Sequence, residues 1–298
     1  MNGYTLLDAV GGIRAGYVEA AKQRRARSQS RFSGWAAAAA CLCLVAAVLA
    51  VTGLHGKGGT AQEGTDSPVQ EIRSLEFNGA YYEATDIPEA LERCGLPTVL
   101  TEDLAGEHVS WLRSDGGAGY APSAAETGIE LMTYAPAPCK GVYLLWDGGR
   151  LYAALLSNLW TTDNASTELA TLYQVYGVSG AADIASICEV DWHRERTIGA
   201  PVSAPGALAA FYELSDQLAC YGNEDFQALV FDGIPEERQA QAHAEFADDL
   251  RMLRIETTAG LRFYLELYPA YGWMAADGTL SYYRIDSQMQ AWIERNLG

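Results

Sequence analysis

The chain has 298 residues, 49% of them hydrophobic and 19% charged, with a formal net charge of −18. The charge is divided unevenly: the first 31 residues carry six basic and two acidic side chains, whereas the residues after 54 carry 14 basic and 36 acidic ones, a net of −22. A region that acidic repels phosphate backbones, which excludes nucleic acid as its partner, and it also repels anionic lipid or wall polymers. The same charge serves solubility or the binding of cations and basic partners.

Along residues 1–31, Leu6, Val10, Ile13 and Tyr17 recur at i, i+4, i+7 and i+11, one face of a helix that Thr5 and Asp8 are spaced to cap. Gly11, Gly12 and Gly16 each weaken such a helix by about 1 kcal/mol relative to Ala, so it gains from a partner. Two readings stand. The four apolar residues are the partner-binding face of a docking helix, or the helix lies on the bilayer with its basic end near anionic lipid.

Lys22, Arg24, Arg25, Arg27 and Arg31 lead into residues 32–54, which are 23 residues without a charged side chain. At about 1.5 Å per residue, that helix reaches across roughly 30 Å of hydrocarbon. The basic flank, against Lys57 alone close behind the other end, puts the N-terminus in the cytoplasm and the remainder outside the cell membrane as a single-pass protein. A cleaved signal peptide is the competing reading, but its apolar run is usually about 7–15 residues. Cys41 and Cys43 lie inside the span and so form no redox or zinc pair.

Residues 55–70, rich in Gly, Thr and Ser, read as a flexible stalk. In residues 71–162 the pattern predicts a hairpin about Asn78-Gly79 and a short helix from Pro88 to about Arg93. A helix from Thr101 to near Leu112, a glycine-rich loop from Ser114 to Gly119, and a buried hairpin over 134–158 turning at Asp147-Gly148-Gly149 complete that part. In residues 163–298 it predicts a helix capped by Ser166 and running to Tyr176, a strand from Ile184 to Trp192, and a helix from Leu208 to Tyr221. The inner face of that helix is Leu208, Phe211, Tyr212, Leu214, Ser215 and Leu218. An acidic exposed helix over 235–249 precedes strands over 252–256, 262–268, 271–275 and 279–285, the last two joined at Asp277-Gly278. A helix over 287–297 closes the chain. The fold class is α+β, a transmembrane helix followed by an extracytoplasmic domain of antiparallel hairpins with packed helices. A loose echo of strand, helix and Asp-Gly hairpin in each half suggests two related subdomains.

No catalytic constellation is legible. There is no HExxH, no His pair at ligand spacing and no GxSxG elbow, and no residue is assigned to a metal, a cofactor or catalysis. Asp191, His193 and Glu195 alternate as strand residues do and offer a cation site, though a solvated strand end has the same pattern. Cys94, Cys139, Cys188 and Cys220 suit buried thiols as well as disulfides. Trp111, Trp146, Tyr152 and the other outer aromatics suit core packing, or stacking on sugar rings and peptides.

The string LLDAVGGIRAGYVEAA, the basic run and WAAAAACLCLVAAVLAV together resemble the start of single-pass, anti-sigma-factor-like membrane proteins of Gram-positive (Clostridia-type) bacteria. GLPTVLTEDLAGEHVSWL and YAPAPCKGVYLLWDGGRLYAALLSN resemble recurring outer-domain segments of the same proteins. The resemblance implies a cytoplasmic sigma factor or other regulator as the inner partner, and an unidentified ligand outside. It departs from the zinc-binding anti-sigma class, because residues 1–31 contain neither Cys nor His. The alternative is an anchored binding or envelope-assembly module with no transcriptional role.

Overall fold

The computed structural model describes residues 73–114, 119–159, 167–191, 196–276 and 279–297. The inner helix, the apolar span, the stalk, Ser166, the Asp277-Gly278 turn and residues 192–195 of the candidate cation cluster lie outside them. Among the described residues no helix is long and apolar enough to cross a membrane. All of them belong to one compact unit, Val69–Gly298, and the class is α+β with antiparallel sheets and six helices.

The first half is a closed seven-stranded barrel. β1 (Arg73–Phe77) and β2 (Ala80–Thr85) turn at Asn78 and Gly79, whose φ values of 51° and 75° are those the tight hairpin requires. After α1 (Pro88–Arg93) come β3 (Ala105–Ser114), β4 (Gly119–Ser123), β5 (Ile129–Tyr134), β6 (Val142–Asp147) and β7 (Arg150–Leu159). The order around the barrel is β1-β2-β7-β6-β5-β3-β4, and a short parallel pairing of β1 with β4, Ser74 with Gly119 and Leu75 with Tyr120, closes it. Leu75, Tyr82, Leu112, Leu131, Leu145 and Ala154 fill the interior. Leu144 and Val142, one residue out of phase with Leu145, face outward and are covered by Leu91 of α1 and by Leu96.

The second half is an open sheet ordered β10-β14-β13-β12-β11-β8-β9. Its strands are β8 (Ile184–Val190), β9 (Thr197–Val202), β10 (Ala219–Gly222), β11 (Arg251–Thr257), β12 (Arg262–Tyr268), β13 (Trp273–Ala276) and β14 (Ser281–Arg284). On one face α2 (Leu169–Val175), α3 (Pro205–Asp216) and α6 (Ser287–Asn296) bury Leu172, Phe211 and Trp292 against Ile255, Leu265 and Tyr283. On the other, α4 (Asn223–Phe231) and α5 (Glu236–Asp248) pack Phe226, Phe231 and Phe246 over Tyr268 and Trp273.

The halves interlock. Leu156 and Leu159 of β7 pack on both cores. The amides of Lys140 and Gly141 donate to the Val175 carbonyl at 2.9 and 2.8 Å. Arg262 N donates to Cys94 O at 3.0 Å, and the Tyr264 hydroxyl to Arg93 O at 2.7 Å. Gly95 approaches Gly260 so closely that a Cβ on it would lie 1.9 Å from the Gly260 carbonyl oxygen.

Several expectations are corrected. The helix expected from Thr101 to Leu112 is a single 3-10 turn, Glu102–Leu104, followed by β3. Its residues are claimed by pairing with β4 and β5, which outweighs weak helix propensity. The helix expected to reach Tyr221 stops at Asp216, and residues 219–222 pair with β14 as an edge strand. β4, β5, β9 and α4 were not foreseen: β5 borrows the residues just before the second hairpin, and β9 is exposed and interrupted by Gly199 at φ 72°.

Candidate functional site on the outer barrel face

Alternation along β3, β5 and β6 sends Leu112, Leu131 and Leu145 inward, so their neighbours Trp111, Glu130 and Trp146 stand on the outside. Register sets these three side by side: Trp111 pairs with Glu130, and Glu130 with Trp146. At about 4.8 Å per strand spacing, the two tryptophans start roughly 10 Å apart with the carboxylate between them. Both indoles are half-buried, Trp146 leaning on the cluster beneath α1.

His108 completes the group through an irregularity of the backbone. In a regular strand, residues 108 and 111 point to opposite faces. The register of β3 against β5 slips between Ala105 and His108 and again between His108 and Ser110. A bulge of this kind re-aims a side chain. It brings the imidazole to the Trp111 ring, centroids 4.9 Å apart and tilted by 46°. His108 Nδ1 lies 2.7 Å from Glu130 Oε1, with side-chain exposures of 44% and 27%. A carboxylate only accepts, so Nδ1 carries the proton and Nε2 faces away to donate or accept elsewhere. The arrangement sets two half-buried indoles beside a donor–acceptor pair.

Several other ionisable groups serve the framework. Arg262 Nη1 donates to the Glu92 carbonyl at 3.0 Å and its Nε lies 3.5 Å from Glu256 Oε2, while Arg254 Nη2 donates to Thr197 Oγ1 at 3.2 Å. Burial pushes the hydroxyls of Tyr82, Tyr173 and Tyr283 up, so they stay protonated. Each has a hydrogen-bond partner: Lys140 O for Tyr82, Ser215 Oγ for Tyr173 and Thr167 O for Tyr283.

Cys94, Cys139, Cys188 and Cys220 are thiols, none in a disulfide. Burial raises the Cys139 thiol despite hydrogen bonds from the Gly141 and Val142 amides, the opposite of what a nucleophile needs. Among the described residues no three His, Cys, Asp or Glu side chains are grouped to hold a metal ion. Leu6, Val10, Ile13, Tyr17 and the topology-setting Lys22, Arg24, Arg25, Arg27 and Arg31 lie outside the described residues. Of the outer aromatics, Tyr82, Tyr143, Trp273, Tyr283 and Trp292 are buried in the cores, and Trp111 and Trp146 are not. The sequence left both tryptophans open between core packing and surface stacking, and nothing in it pointed to His108 or Glu130. Comparison with protein-family models, curated proteins and solved structures returns no match to this chain.

Proposed function

We infer that the chain is a membrane-anchored regulatory or sensor protein of the anti-sigma-like kind. Its acidic outer α+β domain binds a ligand, and residues 1–31 engage a cytoplasmic sigma factor or other regulator through Leu6, Val10, Ile13 and Tyr17. The observation that carries the outer half of this reading is the row of His108, Trp111, Glu130 and Trp146, aromatic surface beside a polar pair, which is suited to binding. The inner half rests on the amphipathic face, the basic flank and the uncharged 23-residue run. A division of the outer region at about residue 162, between the closed barrel and the open sheet, belongs to the same proposal.

The test is co-purification of the full-length protein from its own membranes. A sigma factor or other regulator should be recovered, and lost when Leu6, Val10 and Ile13 are changed to Asp. Recovery that ignores those substitutions overturns the regulatory half. One observation favours the second reading, an anchored binding module: the aromatic row belongs wholly to the unit Val69–Gly298.

A further inference from the structure

The geometry points to a neutral saccharide as the ligand of the outer barrel face, held between Trp111 and Trp146 with its hydroxyls on Glu130 and His108. This rests on the reading of the outer domain as a binding domain and names its ligand class. Three chemistries suit a carboxylate flanked by indoles: an organic cation, an anion drawn to nearby basic groups, and an uncharged ring with one apolar face and a polar edge.

An organic cation would have to share Glu130 with His108, whose Nδ1 already lies 2.7 Å from Oε1. Arg113, exposed two residues further along β3, places a positive charge on the same strand, which opposes a cation. An anionic polymer meets those basic groups only after approaching a region of net charge −22, and Glu130 then opposes it at contact. A pyranose meets neither obstacle. Its axial C–H face stacks on an indole, and its hydroxyls both donate to Glu130 and exchange hydrogen bonds with His108 Nε2. The roughly 10 Å between the origins of the two tryptophans admits one ring over the Glu130 position. The bulge that turns His108 toward Trp111 supplies the polar edge beside the flat face.

The experiment is titration of the full-length protein in detergent micelles, followed by tryptophan fluorescence and calorimetry. The probes are cellotetraose and chitotetraose, with spermine and inorganic phosphate as the charged arms. We expect saturable binding of at least one tetrasaccharide, weakened at least tenfold by Trp111→Ala and by Glu130→Gln, with unchanged thermal unfolding of both variants. The inference is overturned if neither tetrasaccharide saturates, if Trp111→Ala leaves the affinity unchanged, or if spermine or phosphate binds in their place. Glu130→Gln keeps the side-chain shape, so it separates loss of the site from loss of the fold. A negative result here leaves the recovery of an inner partner unaffected, so the two readings fail separately.

Discussion

Replacing Gly95 with alanine should loosen the joint between barrel and sheet. Gly95 follows α1 at φ 78°, and the amides of Gly95 and Leu96 donate back to Glu92 O at 3.0 Å and Leu91 O at 2.9 Å. This is the paired closure that a left-handed glycine permits at a helix end. An alanine there costs about 1–2 kcal/mol for the left-handed backbone. The added methyl would also lie 1.9 Å from the Gly260 carbonyl oxygen, a backbone atom that cannot swing aside. Overpacking of that kind costs about 1–3 kcal/mol, for a total of about 2–5 kcal/mol. A domain is typically stable by about 5–15 kcal/mol, so the loss is a large fraction of the whole. Gly148→Ala isolates the backbone part, because Gly148 has φ 59° and nothing within 4 Å of its Cβ position. Urea unfolding of both variants, followed by tryptophan fluorescence, measures the difference. If Gly95→Ala costs no more than Gly148→Ala, the close approach to Gly260 does not join the two halves.

Tyr283→Phe removes a buried hydrogen bond of 2.7 Å to the Thr167 carbonyl and should cost about 1–3 kcal/mol in the same unfolding assay. Because Tyr82, Tyr173 and Tyr283 are all held above the ordinary tyrosine value of 10.0, their contribution is complete below about pH 10. It is lost as the pH rises beyond that value, and ultraviolet titration should show these hydroxyls ionising only with unfolding. Asp183 is the opposite case. Its Oδ2 accepts from the Ser179 hydroxyl and amide and the Gly180 amide, which hold the carboxyl below its usual 3.8. That stabilisation is present above about pH 4 and fades as the pH falls through the lowered value, so Asp183→Asn should shrink the acid-dependent part of the unfolding curve. Asp286→Ala removes the acceptor for the amides of Gln288 and Met289 at the start of α6; a loss of about 1 kcal/mol is expected in thermal unfolding.

The local rules worked where a residue's own chemistry settles its conformation. Asn78-Gly79 and Gly148-Gly149 made two hairpins legible because few other residues tolerate those φ values. Pro88 opened α1 for the same kind of reason, and the alternation of Phe263, Leu265 and Leu267 marked β12. The rules failed where long-range pairing decides. The residues of β4 and β10 have little strand propensity. Each is a short strand held by its partners: β4 by β3 and, to close the barrel, by the distant β1, and β10 by the distant β14.

The candidate site combines both situations. Trp111 stands in a stretch that sequence alone assigns to a helix, where Trp111 and His108, three residues apart, would have shared a face with no further argument. As a strand, the same two residues should have been separated, and only the bulges of β3 reunite them. Glu130 and Trp146 reach the group through register with β5 and β6, which depends on the number of residues in every turn of the barrel. A one-residue slip of β5 would turn Glu130 into the core and Leu131 out to solvent. The burial of Leu131, which is fully enclosed, is therefore what keeps the carboxylate between the two indoles. The interior leucines that fix the barrel also place the outer row, so the site is as stable as the register and survives changes that leave the core intact.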